Sequence, residues 1–128
     1  MRVLVADDHA AMRQSLVQAL ESEPDMEVVG EASDGGAAVQ LAKLLHPDVI
    51  LMDIVMPQLN GIEATRRITA ECPEVRVIGL SVHDSRVYAD GMRRAGACAY
   101  VLKDCDVEDL VREIQGASNG SWEGFPNV

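Results

Sequence analysis

A short apolar run that stops at a carboxylate constrains the fold of this chain more than any other feature. Four consecutive apolar residues beginning at Val49 lead directly into Asp53, and Pro57 and Asn60-Gly61 follow. The run is too short for a helix and has no polar alternation, which is typical of a strand covered on both faces of a parallel sheet. Because Pro57 and Asn60-Gly61 indicate a loop, we expect Asp53 at the carboxyl end of a central strand, where open α/β sheets form their ligand crevice.

Short apolar runs recur along the chain, and segments with a helical period separate them. Pro24, His46-Pro47 and Cys72-Pro73 indicate helix ends, and the stretch from Ser33 to Gly36 suits a turn that caps a helix. The predicted strands are Arg2–Ala6, Glu27–Ala32, Val49–Asp53, Arg76–Leu80 and Ala99–Leu102. A β-α unit repeated five times predicts an α/β fold, with helices on both faces of a parallel sheet and right-handed crossovers.

Two segments fit their predicted elements less well than the others. The second strand is comparatively polar and contains Gly30, which suits an edge of the sheet. The fourth helix, Ser85–Ala95, has only a narrow apolar stripe, to which Val87 and Met92 contribute. Gly91 costs this helix about 1 kcal/mol relative to alanine.

The composition excludes several classes of protein. The 128 residues suit one domain, and an apolar content of 48% argues against disorder. A formal net charge of −10 argues against a domain that by itself binds nucleic acid or an anionic membrane. Neither a membrane-spanning run nor a signal peptide is predicted. Three cysteines without metal-ligand spacing are interpreted as reduced thiols of a cytosolic protein: Cys72, Cys98 and Cys105.

Four of the apolar runs end in groups that can take part in phosphate or metal chemistry. These groups are Asp7-Asp8, Asp53, Ser81 and Lys103. Because the carboxyl ends of parallel strands share one edge of the sheet, we expect them to converge. Three carboxylates with a lysine and a hydroxyl favour a hard cation, Mg²⁺ first, and phosphoryl transfer in which Asp53 forms an aspartyl-phosphate.

The three histidines are interpreted mainly as loop residues. His9 follows Asp8 and could bind a metal ion, but a solvated loop histidine is the favoured interpretation. His46 and His83 are predicted to lie in loops.

With these residues the chain resembles the receiver domain of two-component response regulators, most closely the NarL/FixJ (LuxR-type) subfamily. The likeness covers about Arg2 to Ala117, and its closest stretches are “LVADDH”, “DIVMPQLNGIEA” and “AYVLKD”. It implies a flavodoxin-like, doubly wound sheet of five parallel strands in the order 2-1-3-4-5. Residues 1–117 would form the receiver domain, and residues 118–128 a tail or the start of a linker.

The resemblance also implies a metal site. Asp8 and Asp53 would bind Mg²⁺ directly, the backbone carbonyl of Val55 would add a ligand, and Asp7 would act mainly through water.

The remaining roles that the resemblance implies concern the phosphoryl group. Asp53 would accept it from the phosphohistidine of a sensor histidine kinase, and Lys103 would pair with its oxygens. Ser81 would move in to hydrogen-bond it, and Tyr100 would reorient with Ser81. Asp104 follows Lys103 where many receivers have proline, which leaves the shape of this loop open.

These roles describe a cytoplasmic switch, with at most slow self-phosphorylation and dephosphorylation, rather than an enzyme. Phosphorylation would favour a homodimer or control an output domain. Transcription regulation through a C-terminal helix-turn-helix, which would make the DNA contacts, is the favoured output. A stand-alone receiver in a phosphorelay is the alternative.

Two other classes of protein fit these residues less well than a receiver. An Mg²⁺-dependent phosphatase with Asp53 as nucleophile needs an acid two residues later, where this chain has Val55. A dinucleotide-binding domain needs a glycine-rich loop after the first strand, where this chain has Asp7-Asp8.

Overall fold

The computed structural model describes residues 1–56, 58–82 and 86–118. Pro57, His83, Ser85 and the tail beyond residue 118 therefore lie outside the described residues. The strands are β1 (Arg2–Ala6), β2 (Glu27–Ala32), β3 (Val49–Asp53), β4 (Arg76–Ser81) and β5 (Ala99–Leu102). The helices are α1 (Ala10–Glu21), α2 (Gly35–Leu45), α3 (Gly61–Glu71), α4 (Arg86–Ala95) and α5 (Val107–Ser118).

All five strands pair in parallel, and their order across the sheet is β2-β1-β3-β4-β5. This order confirms the predicted flavodoxin-like fold. The polar strand β2 lies at one edge, as predicted, and β3 lies at the centre with every residue buried. A fully buried strand needs apolar side chains on both faces, which explains the unbroken apolar run before Asp53.

The strand side chains alternate between two cores, one on each face of the sheet. On β1 and β3, Leu4 and Ile50 belong to the core that packs against α2, α3 and α4. Their neighbours Val5 and Leu51 belong to the core on the other face, under α1 and α5. The strands thus lie between two helical layers that cover both faces of the sheet.

Two helix starts have side-chain caps, and the first of them lies in the Ser33–Gly36 stretch that the sequence indicates. Asp34 Oδ1 accepts a hydrogen bond of 2.8 Å from the backbone N–H of Ala37 at the start of α2. Asn60 Oδ1 accepts one of 2.9 Å from the backbone N–H of Glu63 at the start of α3. These bonds satisfy amide groups that have no partner within the helix.

Helix α4 differs from its prediction in the face it buries. Val87 was expected in the apolar stripe, but it is 78% exposed. The buried face consists of Ala89, Met92 and Ala95. The spacing from Ala89 to Met92 keeps this face on the sheet, and Val87, two residues before Ala89, falls on the opposite side. The absence of a side chain at Gly91 allows α4 to pack closely on α3, because a Cβ there would lie 2.9 Å from Ile62 Cδ1.

None of the helices in the described ranges is both long and apolar enough to cross a membrane.

Candidate functional site

The ends of β1, β3 and β5 bring three charged groups together. Asp7 directly follows β1, Asp53 is the last residue of β3, and Lys103 directly follows β5. Lys103 Nζ lies 2.9 Å from Asp7 Oδ2 and 3.2 Å from Asp53 Oδ1. The Lys103 side chain is only 6% exposed, and both carboxylates are buried. These groups meet as the pattern of strand ends predicts.

The loop after β1 adds two more side chains to this acidic pocket. One ligand atom from each of Asp7, Asp8, His9 and Asp53 lies within 4.8 Å of the others. Asp7 Oδ1 accepts a 2.9 Å hydrogen bond from the backbone N–H of His9, an Asx turn that shapes the loop. His9 Nδ1 lies 3.1 Å from Asp8 Oδ1, so the imidazole contacts the acids although it is 71% exposed. His9 is thus an exposed loop residue, as the favoured interpretation has it, and its position next to Asp8 was the signal for this contact.

Burial raises the pKa of Asp53 from its ordinary value of 3.8 to about 6, and the charge of Asp7 adds to the rise. The Lys103 ammonium opposes both effects through its charge and its hydrogen bond. Among the described residues Lys103 pairs with Asp7 and Asp53, and Asp8 adds a third carboxylate, so carboxylates outnumber the ammonium group at the site. At neutral pH Asp53 is still ionised in most molecules, and the carboxylate is the form that can act as a nucleophile.

The pKa of Lys103 also rises in these surroundings, which for an ammonium group favours the charged form. Burial by itself lowers the pKa of its ammonium group, but the hydrogen bond to Asp7 and the charges of Asp53 and Asp7 outweigh this effect. The net result is a pKa above the ordinary value. Lys103 is therefore a permanent positive charge between β1 and β3.

The donor set of the pocket fits a hard divalent cation. Asp53 Oδ2 is buried and has no hydrogen-bond partner among the described residues. A buried carboxylate oxygen without a partner is costly unless a cation or water approaches it. Asp7, Asp8 and Asp53 offer carboxylate oxygens, which Mg²⁺ prefers and completes with water.

Ser81 lies beside the pocket at the end of β4, whereas Tyr100 lies further back in the sheet. Ser81 ends β4 and is buried, and its carbonyl accepts a 2.8 Å hydrogen bond from the backbone N–H of Lys103. Tyr100 is buried in β5 opposite Gly79, where a Cβ would lie 3.5 Å from the tyrosine ring. The Ser81 backbone is thus tied to Lys103, while Tyr100 packs in the core between β4 and α4.

The loop that follows β3 returns closely to Asp53. The backbone N–H of Gly61 donates a 2.7 Å hydrogen bond to the carbonyl of Ile54. A Cβ at Gly61 would lie 2.0 Å from the Asp53 carbonyl oxygen, so only glycine allows the start of α3 to approach this closely. Val55 lies in this loop, and its side chain is 57% exposed.

A parallel sheet with this strand order, with an acidic pocket and a lysine at the carboxyl ends of its strands, defines a flavodoxin-like α/β domain with a candidate cation site. The family model of the response regulator receiver domain matches residues 3–115. The chain therefore belongs to the response regulator receiver family.

The relatives confirm the predicted subfamily. The chain is 45% identical over 122 residues to the transcriptional regulatory protein LiaR of Bacillus subtilis, covering 94% of this chain and 57% of LiaR. It is 36% identical over 118 residues to the nitrate/nitrite response regulator protein NarL of Escherichia coli, covering 92% of this chain and 55% of NarL. The chain thus spans little more than half the length of these relatives, both of which are response regulators of the NarL/LuxR type.

Solved structures agree with this assignment. The signal receiver domain of the response regulator NarL from Mycobacterium tuberculosis superimposes with a TM-score of 0.89 at 34% identity, covering 93% of this chain and 96% of that one. A LuxR-family response regulator from Aurantimonas superimposes with a TM-score of 0.90 at 33% identity, covering 98% of this chain and 88% of that one.

Membership of this family has general consequences. The chain is a phospho-acceptor domain rather than a catalytic enzyme. Its cluster of aspartates is typical of the Mg²⁺ site of receiver domains. Receiver domains in general pair with histidine kinases.

Proposed function

We propose that Asp53 accepts a phosphoryl group from the phosphohistidine of a sensor histidine kinase. An Asp53 oxygen would form the bond to phosphorus, and the phosphorus–nitrogen bond would break with its electrons passing to the imidazole. The observation that carries this proposal is the buried Asp53 carboxylate. One of its oxygens lies 3.2 Å from Lys103 Nζ, and the other has no hydrogen-bond partner among the residues that the structure describes.

In this proposal the other residues of the pocket hold the cation and the transferred group. Asp8, Asp53 and the Val55 carbonyl would bind Mg²⁺, with Asp7 acting mainly through water. The bound ion would neutralise charge on the phosphoryl oxygens. Lys103, already between Asp7 and Asp53, would pair with the same oxygens after transfer.

We propose Ser81 and Tyr100 as the residues that report phosphorylation to the rest of the domain. Ser81 ends the strand beside β3, and its backbone is bonded to Lys103. Its hydroxyl would hydrogen-bond the phosphoryl group, and Tyr100 would reorient with it. This would be a local charge event that biases a two-state element.

We propose transcription regulation as the output, through a C-terminal helix-turn-helix domain that makes the DNA contacts. The support is that LiaR is named as a transcriptional regulator and that this chain spans 57% of its length. Phosphorylation would favour a homodimer of the receiver or release the output domain. We propose a cytoplasmic setting, where receiver domains typically act.

The division between receiver and linker at residues 117 and 118 stays a prediction, and a stand-alone receiver stays the alternative. The gene sequence beyond residue 128 distinguishes the two.

Intact-mass analysis after incubation with acetyl phosphate and Mg²⁺ tests the phospho-acceptor. The wild-type protein is expected to gain one phosphoryl group, and Asp53→Asn none, because an amide cannot form the acyl phosphate. Asp109→Asn is the matched control, since it makes the same change at an exposed position of α5, and it should be labelled like the wild type. An adduct of equal extent on Asp53→Asn, or an unlabelled wild type, would contradict the proposal.

A further inference from the structure

A second group of potential metal ligands lies at the amino-terminal ends of the strands, whereas Asp53 lies at their carboxyl ends. One ligand atom from each of His46, Cys72 and Glu74 lies within 4.8 Å of the other two. His46 precedes β3, while Cys72 and Glu74 precede β4, so the group lies where these strands begin. His46 and Glu74 are exposed, and Cys72 is buried beneath them.

A tight turn holds two of these residues in place. The backbone N–H of Val75 donates a 3.0 Å hydrogen bond to the carbonyl of Cys72, which closes a four-residue turn. Pro73 occupies the second position of this turn, where its fixed backbone angle is favoured. Glu74 is therefore held at the third position, on the same turn as the Cys72 thiol.

His46 is held by independent contacts. It ends α2 with the left-handed backbone angles φ 48° and ψ 59°, and its carbonyl accepts a 2.9 Å hydrogen bond from Arg2 Nη1. The backbone N–H of Arg76 donates a 3.1 Å hydrogen bond to the carbonyl of Asp48, which joins the two loops. The imidazole and the Cys72–Val75 turn thus come from two loops that are bonded to each other.

We propose that His46, Cys72 and Glu74 bind a divalent transition-metal ion, with Zn²⁺ as the best match. Nitrogen, sulfur and oxygen donors suit Zn²⁺, whereas the all-oxygen pocket at Asp53 suits Mg²⁺. Tetrahedral Zn²⁺ with ordinary bond lengths needs about 3.4 Å between a nitrogen and an oxygen ligand. His46 Nδ1 and Glu74 Oε1 are already 3.4 Å apart. Water would complete the four ligands.

The charges around the thiol favour a cation. The carboxylates of Glu74 and Glu71 both lie close enough to Cys72 for their negative charges to act on its thiol. The positive charge of Lys43 opposes this, but Lys43 is paired with Glu71 at 2.9 Å. A bound metal ion would supply the positive charge that a Cys72 thiolate lacks here. An ordinary ion pair explains the approach of His46 to Glu74, but it does not explain a thiol beside both.

Metal binding would link the loop after α2 to the loop after α3. Both loops lie away from Asp53, so the site requires no phosphorylation. The ion would join contacts that already hold the starts of β3 and β4 together. We therefore expect Zn²⁺ to raise the thermal midpoint of the wild-type protein when excess Mg²⁺ is present.

Titration with Co²⁺ in excess Mg²⁺ tests this site, because Mg²⁺ fills the all-oxygen pocket and Co²⁺ reports thiolate ligation. The wild type is expected to bind one Co²⁺ with a thiolate charge-transfer band that Zn²⁺ removes by competition. Cys72→Ser should abolish the band. His46→Asn and Glu74→Gln should each weaken binding by more than about tenfold. Asparagine suits His46 because it tolerates a positive φ.

Two control variants separate this site from the rest of the chain. Cys98→Ser removes another thiol, and His9→Asn removes the imidazole of the acidic pocket; both should keep the band. The proposal is wrong if the wild type gives no thiolate band, if Cys72→Ser retains it, or if His9→Asn loses it. Should Cys72→Ser fail to fold, the surface variants His46→Asn and Glu74→Gln decide the question, since unchanged affinity in both would overturn the site.

Discussion

Replacing Lys103 with methionine is expected to lower the free energy of unfolding by about 3 kcal/mol when divalent cations are absent. Lys103 Nζ lies 2.9 Å from Asp7 Oδ2 and 3.2 Å from Asp53 Oδ1, and all three side chains are almost fully buried. Methionine keeps much of the side-chain volume but removes the charge. Two buried carboxylates then remain without the ammonium that offsets their desolvation.

Urea unfolding at neutral pH in the presence of a chelator measures this effect. Lys43→Met is the matched control, because Lys43 pairs with Glu71 at 2.9 Å on the exposed surface. Its loss should cost less than about 1 kcal/mol. Saturating Mg²⁺ should restore much of the stability of Lys103→Met, since a cation bound by the acids replaces the missing charge. Equal effects of the two lysine variants would show that the Lys103 contacts are not the main support of the pocket.

Replacing Asp53 with asparagine is expected to raise the free energy of unfolding at neutral pH by about 2 kcal/mol. The pKa of Asp53 is about 6 in the folded chain, against an ordinary value of 3.8. Burial and the charge of Asp7 thus disfavour its ionised form more than Lys103 favours it. Asparagine has a similar shape and carries no charge, so it relieves this cost.

The gain should depend on pH in a defined direction. The pKa of Asp53 is higher in the folded protein than in the unfolded chain. Between about pH 4 and about pH 6, Asp53 therefore keeps a proton in the folded protein that it has already lost in the unfolded chain. Ionisation of Asp53 therefore lowers wild-type stability as the pH rises through this window. The difference between Asp53→Asn and wild type should be small below about pH 4 and complete above about pH 6.

Chemical unfolding of the wild type and of Asp53→Asn from pH 4 to pH 8, without divalent cations, measures the difference between their free energies of unfolding. Asp109→Asn changes an exposed carboxylate on α5 and should show no comparable gain. Added Mg²⁺ should stabilise the wild type more than Asp53→Asn, because the amide is a poorer ligand. A constant difference from pH 4 to pH 8 would contradict the assigned role of Asp53 ionisation.

Much of the fold could be predicted because its elements have local causes. The apolar run before Asp53 suits a strand covered on both faces, and β3 is buried throughout. Asp34 and Asn60 cap α2 and α3 through bonds to residues three positions later. Val87 is the counterexample. Its exposure depends on how α4 is rotated against the sheet, and a narrow apolar stripe leaves that rotation poorly specified.

Only some of the contacts in the candidate site could be predicted from the sequence. Asp7, Asp53 and Lys103 were predicted to meet because each follows or ends a strand of one parallel sheet. That Lys103 lies closer to Asp7 than to Asp53 could not be predicted, because it depends on side-chain directions across three strands. The contact of His9 with Asp7 and Asp8 likewise depends on the shape of one loop.

The sequence by itself therefore determined the succession of strands and helices, the acidic edge of the sheet and membership of the receiver family, since short-range patterns encode all three. The tertiary structure alone decided the raised pKa of Asp53, the position of an Asp53 oxygen to which no described residue donates a hydrogen bond, and the meeting of His46 with Cys72 and Glu74. Burial and the distance between charges depend on chain segments far apart in sequence, and these come together only when the sheet and its helices have packed.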